Sequence, residues 1–195
     1  LRKLVLTGTY DAFGLLRKSY RNTVEISKFA NDILRHGDFA VYPVEPIIRH
    51  GAAVRVEKQP DATALLEETV HTIRKWQQDG YETIAVICRE EKEAAELAEQ
   101  LKSYMEIVDC NPGTTEFGDG VMVLSVAYTK GLEFDAVLLY DPTQKKYPAD
   151  NGHVKLLYVA ATRALHELVV LYHGNLSRIL TDPVSKEKKQ KVFAA

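Results

Sequence analysis

The sequence predicts an α/β fold in which helices sandwich a central, mainly parallel sheet. Four continuous apolar runs are too short for helices, and such runs are typical of strands that are buried on both faces. They lie at 83–88, 121–126, 136–140 and 168–172. Segments with helical periodicity precede or separate them, at about 22–36, 61–79, 90–104 and 154–165. This alternation of strands and helices indicates crossover connections, which join parallel strands.

The first predicted helix runs from Asn22 to His36, where apolar residues recur at the spacing of one helix face. Asn22 and Glu25 have the spacing of a capping box, and Gly37 suits the end of the helix. The pattern therefore predicts that Asn22 caps this helix.

Residues 38–60 contain three prolines, which predicts irregular chain with one edge strand. The second helix follows from Asp61 to Asp79, and Gly80 suits its end. Trp76 falls on the apolar face of this helix, so we expect it in the core rather than at a base-stacking surface.

The remaining elements alternate regularly. The strand at 83–88 leads into a helix from Glu90 to Tyr104, and a pair of strands separated by a loop follows at 121–140. A helix at about 154–165 then precedes the last strand.

The length of 195 residues suits one α/β domain. We expect a lead-in segment from a preceding domain at 1–15, the domain itself at 16–180 and a tail at 181–195.

Composition limits the class of protein. Hydrophobic residues make up 46% and charged residues 27%, close to the average for globular domains. The net charge of -2 argues weakly against a nucleic-acid binder, although a domain that shares its substrate needs only one basic edge. The two cysteines have no metal-binding spacing, and no apolar run has the length of a membrane span. We therefore expect a cytoplasmic protein with no bound metal of its own and no membrane partner.

Ligands of open parallel sheets sit beyond the carboxyl ends of the strands, which favours the loops at 127–134 and 141–153 as binding segments. The chain contains no phosphate-binding loop of the G-x-x-x-x-G-K-[ST] type, because the Lys130-Gly131 pair lacks the remaining motif residues. The domain is therefore expected to contribute to a nucleotide site from the side rather than to cradle the phosphates itself.

Three segments occur in the order of the second-domain motifs of superfamily 1 helicases. They are L-R-K-S-Y-R-N-T at 16–23, V-M-V-L-S through K-G-L-E-F at 121–134, and L-L-Y-V-A-A-T-R-A at 156–164. The chain resembles the second motor domain of UvrD/Rep-type DNA helicases, and these segments match motifs IV, V and VI. The resemblance implies a RecA-like, three-layer fold of the P-loop NTPase type without its own phosphate loop.

The resemblance implies that Arg21 and Arg163 are catalytic and contact the γ-phosphate of ATP. An arginine supplied from a second domain stabilises the charge that develops during phosphoryl transfer. Gly131 and Glu133 complete the implied nucleotide contacts, with Glu133 on the ribose hydroxyl. The ligands of Mg²⁺ are implied in the first RecA-like domain, the expected partner, so this domain alone is expected to be inactive.

The resemblance also implies a contact with single-stranded DNA through motif V. Ser125, Tyr128, Thr129 and Lys130 offer the hydroxyls, main-chain amides and positive charge that contact with a nucleic-acid backbone requires.

The chain departs from the family pattern at several positions. Ala127 replaces a histidine that many members carry, and Ser19 and Asn22 stand where the family usually has Asn and Ser. Only 99 residues separate Arg21 from Val121, which leaves no room for the large accessory domain of UvrD and Rep. These departures resemble the helicase IV/HelD-like branch, some of whose members act on RNA polymerase.

Two alternatives to a DNA helicase stay open at this stage. One is a HelD-like factor whose partner is RNA polymerase. The other is a non-catalytic nucleotide-binding or protein-binding module, against which the presence of both arginines argues.

Overall fold

The computed structural model describes residues 18–19, 22–38, 45–46, 49–109 and 118–181. A two-stranded parallel pair joins β1 (Lys18–Ser19) and β2 (Glu45–Pro46). Within these residues, the main sheet has five strands, all parallel, in the spatial order β3-β7-β6-β4-β5. They are β3 (Arg55–Gln59), β4 (Thr83–Cys88), β5 (Gly120–Ser125), β6 (Phe134–Tyr140) and β7 (Ala164–His173). The predicted parallel α/β fold is confirmed, and β3 is the edge strand expected within residues 38–60.

Helices cover both faces of this sheet. They are α1 (Val24–Leu34), α2 (Ala62–Gln78), α3 (Glu91–Leu101), α4 (Asn151–Ala161) and the short α5 (Arg178–Thr181). One core cluster joins α1, α4 and α5 to one sheet face, and a second joins α2 and α3 to the other. The domain therefore has three layers. In the part of the chain that the structure describes, no helix is long and apolar enough to cross a bilayer.

The strands supply both clusters because successive side chains point to opposite faces. In β4, Ala85 and Ile87 face the α1–α4 cluster, whereas Ile84 and Val86 face the α2–α3 cluster. Trp76 is buried in the second cluster, and its indole N–H lies 3.3 Å from Glu167 Oε2. The expectation that Trp76 belongs to the core is confirmed.

The prediction that Asn22 caps α1 is wrong. The N-cap is Thr23, whose hydroxyl accepts a hydrogen bond from the main-chain N–H of Ile26 at 3.4 Å. Glu25 does not close a capping box either, because its carboxylate binds His50 and the main-chain N–H of Gly51. Long-range partners therefore replace the local ones that the capping-box spacing suggested.

The predicted end of α4 is also wrong. The helix stops at Ala161, and the segment expected to continue it to residue 165 has already entered β7 at Ala164. The main-chain N–H of Phe134, the first residue of β6, donates to the carbonyl oxygen of Arg163 at 2.9 Å. This sheet contact outweighs the helical propensity of the segment, and it places Arg163 in the turn between α4 and β7.

Candidate functional site

Arg163 binds the chain segment that connects β5 with β6. Its Nε donates to the carbonyl oxygen of Val159 at 3.1 Å, and its Nη1 donates to that of Leu132 at 2.9 Å. A longer contact of 3.5 Å joins Nη1 to the carbonyl oxygen of Thr129. The half-buried guanidinium thus ties the last turn of α4 to the β5–β6 loop (residues 126–133), and its rigid fork suits several acceptors at once.

The structure brings Glu133 and Arg163 to the same edge of the sheet. Each immediately precedes a strand, and the first residues of these two strands, Phe134 and Ala164, are paired. Glu133 is exposed, and Gly131 before it has a φ of 85°, which disfavours any residue with a side chain. The predicted nucleotide residues that the structure describes therefore lie at the amino ends of β6 and β7, which we call the amino edge.

This location corrects the expectation that the loop at 127–134 lies beyond the carboxyl ends of the strands. The β5–β6 loop leaves the carboxyl end of β5, but β6 is parallel to β5. The loop must therefore cross to the opposite edge of the sheet before β6 begins. Its first half lies at the carboxyl edge, and its last residues, including Glu133, lie at the amino edge.

Asn22 joins the start of α1 to the turn that carries Arg163. Its side-chain amide donates to the carbonyl oxygen of Thr162 at 3.1 Å and to that of Ala164. These acceptors flank Arg163, and Asn22 itself directly follows Arg21 in the chain. Arg21 lies outside the described residues, so its predicted role stays a prediction. Sequence reasoning missed this contact because no local pattern points to a partner 140 positions away.

Residues 49–51 support the same edge. The guanidinium of Arg49 donates to the carbonyl oxygen of Leu165 at 2.7 Å, and its own carbonyl oxygen accepts from Val24. Glu25 binds the ring of His50 and the main-chain N–H of Gly51, each at 2.8 Å. The hydrogen bond from His50, together with that from Gly51, lowers the pKa of Glu25 to about 2.

The four predicted nucleic-acid residues divide into two pairs. Ser125 and Thr129 are buried, and the hydroxyl of Thr129 donates to the carbonyl oxygen of Val126 at 2.8 Å. Tyr128 is 42% exposed, and Lys130 is exposed as well. The Tyr128 hydroxyl lies 3.3 Å from Glu91 Oε2, at the start of α3. Within the 3₁₀ turn at Val126–Thr129 and the residue after it, the side chains of Tyr128 and Lys130 are therefore exposed, whereas Thr129 stabilises the turn.

A polar cluster that sequence reasoning missed occupies the carboxyl edge. Asp141 is 3% exposed, has a φ of 50°, and accepts from the main-chain N–H of His173 at 3.1 Å. The ammonium of Lys146 bridges Asp141 and Glu93. Burial opposes the charge of Lys146, but the hydrogen bonds to both carboxylates outweigh burial and raise its pKa. This cluster holds the turn after β6, within the predicted 141–153 loop, against α3.

Residues 120–171 match the family model of the UvrD-like helicase C-terminal domain. That segment runs from the first residue of β5 into β7, and it contains the β5–β6 loop, Arg163 and the pairing between β6 and β7. We call it the UvrD-like segment. The assignment of motifs V and VI to this family is therefore supported by an independent comparison.

The chain is also similar to the solved C-terminal domain of a possible DNA helicase from Lactobacillus plantarum WCFS1. The two share 27% identity with a TM-score of 0.70, over 86% of this chain and 95% of that one. A curated relative, ribonuclease HII from Aeropyrum pernix, is 26% identical over 179 residues, which are 91% of this chain and 78% of that protein.

Among the residues that the structure describes, no group of three or more His, Cys, Asp or Glu side chains is arranged to hold a metal ion.

Cys88 is buried at the end of β4, where burial raises the pKa of its thiol.

Proposed function

We propose that this chain is the second motor domain of an ATP-dependent DNA helicase. It completes the ATP site of a preceding RecA-like domain with Arg21 and Arg163 and contacts single-stranded DNA through the β5–β6 loop. The placement of Glu133 and Arg163 on one edge of the UvrD-like segment carries the proposal. The similarity to the C-terminal domain of a possible DNA helicase supports it.

The proposed chemistry is electrostatic. The first domain holds ATP and Mg²⁺, and the guanidinium of Arg163 stabilises the charge on the γ-phosphate during hydrolysis. The carbonyl oxygens of Val159 and Leu132 hold Arg163 before the nucleotide arrives, so its orientation is set in advance. Glu133, exposed beside it, is the proposed partner of the ribose hydroxyl.

The β5–β6 loop links the two proposed ligands. Tyr128 and Lys130 lie within its first five residues, and Glu133 is its last residue. An exposed ring offers a stacking platform for a base, and a lysine offers charge to the phosphates. Because Arg163 binds the carbonyl oxygen of Leu132 between these groups, a shift of the arginine towards a nucleotide would move the DNA-contacting part of the loop as well.

The test is steady-state ATP hydrolysis by the intact protein that contains this chain and a first motor domain. Arg163→Ala is expected to lower kcat by on the order of 10³-fold. The matched control is Arg74→Ala, because Arg74 is an exposed arginine that also donates to a main-chain carbonyl oxygen, that of Tyr104, but lies on α2. Near-normal kcat in Arg163→Ala, or turnover by the isolated chain, would refute the proposal.

The HelD-like alternative predicts a different partner. A stable complex of the intact protein with RNA polymerase, together with no unwinding of duplex DNA, would favour it. The similarity to ribonuclease HII adds one further assay, in which labelled RNA and DNA strands are incubated with the protein and Mg²⁺. The helicase proposal expects binding without cleavage of either strand.

A further inference from the structure

Asn22 fixes the turn that carries Arg163. The nitrogen of a carboxamide has two hydrogens to donate, and Asn22 uses its nitrogen for two carbonyl oxygens, those of Thr162 and Ala164. The main-chain N–H of Phe134 binds the carbonyl oxygen between them, that of Arg163. Three consecutive carbonyl groups of the turn are therefore held, two by Asn22 and one by Phe134.

Helix capping does not explain this use of Asn22. The N-cap of α1 is Thr23, so the side chain of Asn22 is not needed to satisfy the first N–H groups of the helix. Asn22 is nevertheless only 7% exposed, and both described bonds of its amide reach across to the turn between α4 and β7. Its contacts hold the segment that follows Arg21 against the segment that contains Arg163.

We propose that Asn22 is a positioning residue that holds the turn carrying Arg163, so that the guanidinium of Arg163 reaches the phosphate group. This inference rests on the proposed function. Arg163 lies between the two residues whose carbonyl oxygens Asn22 binds. A displacement of about 1 Å in a catalytic group can lower turnover by on the order of 100-fold. The contacts of Asn22 therefore affect catalysis although its side chain does not touch the nucleotide.

The experiment measures kcat, KM for ATP and thermal unfolding in the intact protein. Asn22→Asp keeps the shape of the side chain but replaces the donor with an acceptor that faces two carbonyl oxygens. Asn22→Ser is milder and retains one hydroxyl donor. The matched control is Ser177→Ala, which removes a buried donor to a distant carbonyl oxygen, that of Tyr147, at 2.7 Å.

We expect Asn22→Asp to lower kcat by roughly 10- to 100-fold with KM for ATP nearly unchanged, and Asn22→Ser to lower it less. Ser177→Ala should change thermal stability and leave both kinetic constants near the native values. If circular dichroism shows that Asn22→Asp is unfolded, the comparison is made with Asn22→Ser. Equal kcat in the Asn22 variant and in Ser177→Ala would overturn the inference.

A double-variant cycle separates positioning from general stability. Once Arg163→Ala has removed the arginine, Asn22→Ser should lower kcat no further, because residues that act as a unit are non-additive. Fully additive losses would contradict the positioning role. If Arg163→Ala itself retains native kcat, the proposed function fails, and that outcome is distinct from a failure of Asn22 alone.

Discussion

The side-chain amide of Asn22 donates a 3.1 Å hydrogen bond to the carbonyl oxygen of Thr162, 140 positions further along the chain. This bond joins the start of α1 to the end of α4 at the amino edge of the sheet, beside Arg163. Residues 49–51 pack against the same place. The amino edge is therefore assembled from segments that are remote in sequence, and its stability can be measured apart from any activity.

Gly51 is expected to tolerate no side chain. A Cβ at this position would lie 2.5 Å from Thr23 Cγ2 and 3.3 Å from the carbonyl oxygen of His166. Thr23 is buried and caps α1, so it has little room to yield. We expect Gly51→Ala to lower the free energy of unfolding by about 1–3 kcal/mol, measured by urea denaturation.

A control substitution and a compensating substitution test the cause of the Gly51→Ala effect. Gly118→Ala should be close to neutral, because a Cβ there meets nothing within 4 Å. Adding Thr23→Ser to Gly51→Ala removes the methyl group that clashes and keeps the capping hydroxyl, so part of the lost stability should return. No recovery in the double variant would show that the clash is not the cause.

Lys146 is expected to stabilise the carboxyl edge through its contact with two carboxylates. Asp141 is almost fully buried, so Lys146→Met removes the ammonium between its carboxylate and Glu93 and leaves Asp141 with the ring of His173, at 3.0 Å. Removal of one partner from a buried pair costs about 3 kcal/mol. Lys102→Met is the matched control, since Lys102 also contacts two carboxylates, Glu99 and Asp109, but on the surface. It should cost less than about 1 kcal/mol, and equal losses in urea denaturation would contradict this prediction.

Glu25 is expected to make stability depend on acid pH. Its pKa in the folded protein is about 2, below its ordinary value of 4.5. A lowered pKa means that the stabilisation is present above pH 4.5 and is lost as the pH falls towards 2. When thermal unfolding is followed across this pH range, the melting temperature of the native chain should fall more steeply than that of Glu25→Gln. Parallel pH profiles for the two proteins would rule out the assignment.

We expect the two ends of the β5–β6 loop to affect the binding of different ligands, as measured on the intact protein. Tyr128→Ala should weaken binding of single-stranded DNA by on the order of tenfold, the effect of losing one base-stacking contact, with nucleotide affinity unchanged. Glu133→Ala should weaken nucleotide binding and leave DNA binding largely intact. Tyr104→Ala is the control for Tyr128, because the two rings are similarly exposed, at 45% and 42%. Fluorescence anisotropy measures the affinity for single-stranded DNA. An equal loss of affinity for DNA and for nucleotide in either variant would count against the proposal.

The local pattern of residues determined most of the architecture. The strand expected at 83–88 is β4 with the same bounds, because a continuous apolar run between turn residues suits only a strand that is buried on both faces. The expected helix at 61–79 is α2 within one residue at each end, and Asp61 caps it through a contact with the nearby Ala64. Interactions of this kind act over a few positions, so the sequence alone reveals them.

Tertiary contacts decided the details of the candidate site. Asn22 has the spacing of a helix cap, yet its amide binds two carbonyl oxygens brought close by the fold. The segment at 162–165 has helical character, yet pairing with β6 ends α4 before it. Glu133 lies at the amino edge rather than the carboxyl edge because β6 is parallel to β5. These outcomes depend on hydrogen-bond partners remote along the chain, and a main-chain group can be matched with a remote partner only after the strands have assembled.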